Sequence, residues 1–174
     1  MELIRITSSQ DSRLVGVPAL YEQSFPVVAR IPSDRLLALI DELPQMAFHV
    51  VCQEGTFCGM AVAWDLGTFR YLEYFALVPA CRCQGLGSAV MASLLEASPL
   101  PVVGEVEPAQ TDIQRRRIGF YRRNGFTVYT NPAILNAYHP DNPLWLIASQ
   151  PLAAADVETC QLRVIDRVYR LLCK

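Results

Sequence analysis

Apolar and polar residues change rhythm several times along this chain, and each change marks an element. Residues 2–6 alternate and read as a strand. Helical spacing follows over 11–24, with Leu14, Val15, Leu20 and Tyr21 on the apolar stripe, and again over 34–43; Pro26, Pro32 and Pro44 punctuate the two. Two β-rich runs, AFHVVCQ and FCGMAVAWDL, are joined by Glu54-Gly55, a hairpin signal. A third, FRYLEYFALV at 69–78, follows Gly67, so three consecutive antiparallel strands are expected.

Beyond this meander the pattern reads helix over 85–97, strand over 102–107 and helix over 112–124. A strand, helix, strand order implies a right-handed crossover, which makes 69–78 and 102–107 parallel. The second of these helices opens on Thr111-Asp112-Ile113-Gln114, a capping-box pattern, and ends before Gly125, a natural C′ residue. FTVYT and PLWLIAS at 143–149 close the sheet, and 157–172 places Val157, Cys160, Val164, Val168 and Leu171 on one stripe. The expected fold class is α/β of the α+β kind: a mixed, mainly antiparallel sheet of six to seven strands flanked by helices, in a single domain over 1–174.

Composition agrees with one packed core. The chain has 174 residues, 52% hydrophobic and 18% charged, far from the polar signature of disorder. A formal charge of -2 gives no general attraction to nucleic acid or to an anionic membrane, so any anion site must be local. The start has no basic segment followed by a long apolar stretch, and no run of about 18 apolar residues exists. A cytoplasmic protein is expected, with its six cysteines reduced. Cys81 and Cys83 lack a second ligand pair and His49 and His139 are isolated, so no metal site is expected.

RCQGLGSAV at 82–90 sets two glycines between an arginine and a helix start. The first turn of a helix leaves N–H groups without intrahelical partners at its partly positive end. Gly85 and Gly87 would let N–H groups from about Cys83 to Ser88 wrap a phosphate, with Arg82 at the rim. Glycine needed only for a tight strand-to-helix turn is the competing explanation. The segment lacks the Gly-Lys-Ser/Thr of a P-loop, and Val90 stands where a dinucleotide fingerprint needs its third glycine.

The run YFALVPACRCQGLGSAVMASLLEA, followed by RRRIGFYRRNGF, resembles the GCN5-related N-acetyltransferase (GNAT) superfamily. Arg82, Gly85 and Gly87 match its R/Q-x-x-G-x-G/A loop; Phe120-Tyr121 and Gly125-Phe126 match its second motif. The resemblance implies a central parallel strand pair that splays at one end, and an acetyl-CoA site. Its residues would be Leu77, Val78, Arg82, Cys83, Gln84, Gly85, Leu86, Gly87, Ser88, Gln114 and Tyr121. It further implies transfer to a primary amine, with the Leu77 N–H as oxyanion donor and Tyr121 as general acid to the leaving thiolate. Glu73 is the leading base and Glu107 the second, while Glu105 reads as a salt bridge or solvated strand end. Phe25, Arg30, Glu107 and Tyr138 are the acceptor candidates, with Tyr21 and His139 beside them.

Departures from the family pattern are Gln114 and Arg117, where asparagine and alanine are frequent. Helical spacing sets Arg117 with Ile113, Phe120 and Tyr121 on a packed face, where it needs Glu105 or Glu107 as partner. Arg115, Arg116, Arg122 and Arg123 form a solvated face. Two rivals stand beside the enzyme: a non-catalytic acyl-CoA-binding or regulatory module, and an interaction domain forming a homodimer through its C-terminal helix.

Overall fold

The computed structural model describes residues 1–130 and 144–172. Seven strands, β1 (Glu2–Ile6), β2 (Met46–Gln53), β3 (Thr56–Asp65), β4 (Arg70–Leu77), β5 (Val102–Val106), β6 (Thr127–Tyr129) and β7 (Trp145–Ala148), form one mixed sheet in the order β1-β2-β3-β4-β5-β7-β6, mostly antiparallel, with β4 and β5 the parallel pair and helices flanking. No helix among the described residues is long and apolar enough to cross a membrane. By internal packing the chain falls into two compact units, Met1–Asp65 with Leu72–Ala97, and Leu66–Tyr71 with Ser98–Lys174.

In the first unit β1 (Glu2–Ile6), β2 (Met46–Gln53) and β3 (Thr56–Asp65) form the expected antiparallel ladder. Glu54 (φ 51°) and Gly55 (φ 73°) turn the hairpin, both in the left-handed region that a two-residue primed turn demands. Seven of the eight β2 side chains are buried, so this strand is covered on both faces. α2 (Ser33–Glu42) packs against β2 and α1 (Val17–Ser24) against β3, and their Tyr21, Leu36 and Leu39 are fully buried. Burial of each large apolar side chain stabilises by about 1.5–3 kcal/mol.

The helix expected over 11–24 is divided. Residues Ser12–Gly16 wind as a 3-10 turn and α1 begins only at Val17. With three residues per turn, Leu14, Val17 and Leu20 line up inward, and Val15, expected on the apolar stripe, is 86% exposed.

Residues 72–77 of β4 (Arg70–Leu77) and the whole of α3 (Leu86–Glu96) also belong to the first unit. Gly59 of β3 lies tight against β4: a Cβ there would come within 2.4 Å of the Ala76 carbonyl oxygen.

In the second unit β7 (Trp145–Ala148) pairs antiparallel with both β5 (Val102–Val106) and β6 (Thr127–Tyr129). α4 (Asp112–Arg123) carries both halves of the capping box and stops at Asn124, with Gly125 at φ 85°. α5 (Ala154–Val164) continues through a π-helical turn at Ile165–Tyr169 into Arg170–Leu172. Val157, Cys160, Val164 and Val168 are buried as the stripe requires. Beyond them the wider turn shifts the phase, so Tyr169 and Leu172 are buried and Leu171 is not.

Candidate active site

The end of β4 and the loop after it are locked to one another within the first unit. Val78 N–H donates to the Cys58 carbonyl of β3 at 2.9 Å. Strand alternation therefore turns the N–H and C=O of Leu77 to the opposite edge. On that edge the Leu77 oxygen accepts from Arg82 Nε at 2.8 Å. Arg82 thus does more than add charge at a rim: it staples the loop to the strand end. A 3-10 turn at Pro79–Cys81 makes this reach short, closed by Cys81 N–H to Val78 O at 3.0 Å. Gln84 Nε2 braces it by donating to Ala80 O at 2.7 Å.

Gly85 is the N-cap of α3 at φ 79°, and no side chain caps this end. A Cβ on Gly85 would meet nothing within 4 Å, so the glycine is required by its dihedral and not by crowding. Cys83 is also left-handed, φ 60°, at a non-glycine residue where such geometry costs about 1–3 kcal/mol. The uncapped first turn leaves N–H groups without a side-chain partner at the positive end of an 11-residue helix, an arrangement that suits an anion. Gly85→Val, strained by about 1–3 kcal/mol at positive φ, should lower the thermal midpoint and, as the loop relaxes away from that strain, raise the coenzyme A Kd by about five- to 150-fold in titration calorimetry. Gly85→Asn, which tolerates that region, should keep most of the affinity.

On β4 the Glu73 carboxylate is half-buried and accepts the Trp64 indole N–H at 2.6 Å. Three aromatic rings meet close by in the same unit. Tyr21 lies 5.5 Å from Phe25 and 5.0 Å from Tyr74, and Phe25 4.8 Å from Tyr74. The Arg30 guanidinium stands 5.8 Å over the Tyr21 ring and donates through Nε to Phe25 O at 3.0 Å. Burial pushes the Tyr21 phenol well above the ordinary tyrosine range. The acceptor candidates Tyr21, Phe25 and Arg30 are thereby gathered. Tyr74 joins them without having been singled out, its signal being only its position beside Glu73. Tyr138 and His139 lie outside the described residues.

In the second unit Tyr121 sits between Phe120 and Phe126, with ring centroids at 5.2 and 5.5 Å. Burial raises its phenol to about 12, with Arg117 pulling the other way. Gln114 closes the capping box: its Oε1 accepts from Thr111 N–H at 2.8 Å and Gln110 N–H at 3.0 Å. Only its amide nitrogen is left for a ligand.

Arg117 pairs with Glu107, but not on a packed face. Its side chain is 44% exposed, Ile113 is 69% exposed, and Ile118 is the buried residue of α4. Arg115, Arg116, Arg122 and Arg123 are exposed as expected.

Among the described residues Glu105 pairs with hydroxyls and not with a cation, and it is only partly exposed. It accepts from the Tyr71 hydroxyl at 2.9 Å and from the Tyr169 hydroxyl, and the two hydroxyls stand 3.0 Å apart. Sequence reasoning missed this cluster because Tyr71 and Tyr169 are 98 positions apart. Burial raises the Glu105 carboxyl and the two phenol bonds offset part of that rise. A carboxyl whose folded pKa is raised holds a proton that the unfolded chain has lost, so its contribution fades as pH climbs from about 4.3 through the folded value. Glu105→Gln should remove that slope, with wild type losing thermal midpoint relative to the variant across the window.

A strand end stapled to a glycine-opened, uncapped helix, on a mixed sheet with one parallel pair flanked by helices, matches the fold of the GNAT acetyltransferases. The family model described as acetyltransferase (GNAT) family matches residues 14–126, and the chain belongs to that family. A GNAT-family protein from Bacteroides thetaiotaomicron superposes with a TM-score of 0.86 at 26% identity, covering 97% of this chain and 98% of that one. The PaiA N-acetyltransferase of Thermoplasma acidophilum, in complex with coenzyme A, gives 0.59 at 15% identity, covering 87% and 100%. A GNAT-like decarboxylase in complex with isobutyryl-CoA gives 0.64 at 19%, covering 85% and 97%. These last two share the fold alone. Comparison with curated proteins finds no significant match.

Proposed function

We propose that this chain is a single-domain, cytoplasmic N-acetyltransferase that moves an acetyl group from acetyl-CoA to the primary amine of a small molecule or peptide. The observation that carries the reading is the stapled turn, in which Arg82 holds Leu77 while Gly85 opens α3 without a side-chain cap. Backbone N–H groups of residues 83–88 would hold the diphosphate, and the strand end at Leu77 and Val78 the pantetheine arm. Acetyl-CoA supplies the activated thioester.

Glu73, fixed by Trp64, accepts the proton that the acceptor ammonium must lose before it can attack. The Leu77 N–H, turned away from β3, donates to the oxygen that gains charge. Tyr121 protonates the departing thiolate; its phenol, at about 12, remains protonated throughout the neutral range. Glu107 is occupied by Arg117, which leaves Glu73 as the favoured base. The rings of Tyr21, Phe25 and Tyr74, with Arg30, form the acceptor wall.

The test is thiol release from acetyl-CoA across a panel of amines, run beside a thermal shift with acetyl-CoA. Stabilisation plus turnover with at least one amine is expected. Stabilisation with no turnover on any amine would favour a non-catalytic coenzyme-binding module, and no coenzyme effect would leave only an interaction domain.

A further inference from the structure

We infer that Cys58 and Cys81 are an oxidation site, where a hydroperoxide converts two thiols into an internal disulfide that tethers the turn opening the 82–88 loop to β3. The two sulfurs stand 2.9 Å apart. A disulfide bond is about 2.05 Å long, so each sulfur need travel only about half an ångström. The backbones that carry them are already joined there, through Val78 N–H to Cys58 O at 2.9 Å and Cys81 N–H to Val78 O at 3.0 Å. Cys58 is also released from the neighbouring ladder: β2 pairs Val51 with Gly59 and Cys52 with Phe57, leaving Cys58 as the extra residue of a β-bulge. Bulges re-aim side chains, and this one directs a thiol at the turn.

Exposure divides the labour. Cys58 is 2% exposed, whereas Cys81 is partly open to solvent. Burial, reinforced by the adjacent Cys81, pushes the Cys58 thiol up to about 11, which keeps it from being the sulfur that meets the oxidant. The Cys81 sulfur attacks the hydroperoxide, is oxidised to a sulfenic acid, and the peroxide is reduced to an alcohol or water. The Cys58 sulfur then attacks the sulfenic sulfur, and its proton leaves with the hydroxide as water. Arg82, the next residue, carries the staple to Leu77, so the new bond anchors the turn from which the loop hangs. The chemistry is independent of the transfer reaction; its consequence for coenzyme binding rests on the function proposed above.

The experiment treats the reduced full-length protein with stoichiometric hydrogen peroxide, then combines intact mass, non-reducing peptide mapping, thermal melting and calorimetric titration with coenzyme A. Expected are loss of two hydrogens without dimer formation and a Cys58–Cys81 linked peptide. Melting should shift upward by about 4–16 °C, reversed by dithiothreitol. The coenzyme Kd should change at least threefold. Cys81→Ser should abolish all of these, and Cys160→Ser, at a free cysteine outside both the pair and the loop, none. Gain of one or more oxygens without a crosslink, a crosslink through Cys83, or a Cys81→Ser variant that responds like wild type would overturn the inference. A crosslinked protein that binds no coenzyme in either redox state would keep the oxidation site and refute the function proposed for the loop.

Discussion

Tyr121→Phe should lower kcat by about 10²–10⁴-fold, the usual worth of a positioned general acid, while the KM for acetyl-CoA moves by less than about threefold. The division between the two constants is informative because the ring itself is held by packing. Phe120 and Phe126 flank it whether or not a hydroxyl is present, so the variant should fold and melt as wild type does. Burial keeps the phenol at about 12, so no alkaline loss of kcat through this group is expected below about pH 10. A variant with unchanged kcat would assign Tyr121 to packing alone.

Gly59→Val should be the most disruptive single change in the first unit. Any Cβ at this position comes within 2.4 Å of the Ala76 carbonyl oxygen and 2.6 Å of a Leu77 methyl. The first neighbour is backbone and cannot rotate aside, so β3 and β4 must part. Overpacking of this kind costs about 1–3 kcal/mol and more when the backbone has to move. The displaced residue is Leu77, the proposed oxyanion donor, so residual activity should fall further than stability does. Thermal melting and steady-state kinetics on the same preparation check both. A variant that melts normally with wild-type kcat would show that the strand end tolerates displacement and is not the donor.

Local rules made much of this fold readable in advance. Glu54-Gly55 announces its turn because both residues must take positive φ, and Thr111 to Gln114 announces its helix because two backbone donors need partners within four residues. Gly85 is legible for the same reason. What stayed hidden depends on departures from ideal winding or on distant partners. Val15 points to solvent because a 3-10 turn replaces the first helical turn, and Leu171 loses its place to Leu172 because a π turn adds a residue. Ile113 and Arg117 share a helical face in projection, but nothing in the local pattern shows that this face is open. Glu105 with Tyr71 and Tyr169, and Tyr74 with Tyr21, are meetings of residues far apart in sequence, which no periodicity encodes.

In the proposed complex the coenzyme's diphosphate sits on the uncapped first turn of α3. Backbone amide shifts followed by NMR during titration with coenzyme A address it most directly. The N–H signals of Gly85, Leu86, Gly87 and Ser88 should move furthest and move downfield, as strongly hydrogen-bonded amides do. Saturating coenzyme that leaves these four signals in place while shifting others would contradict it.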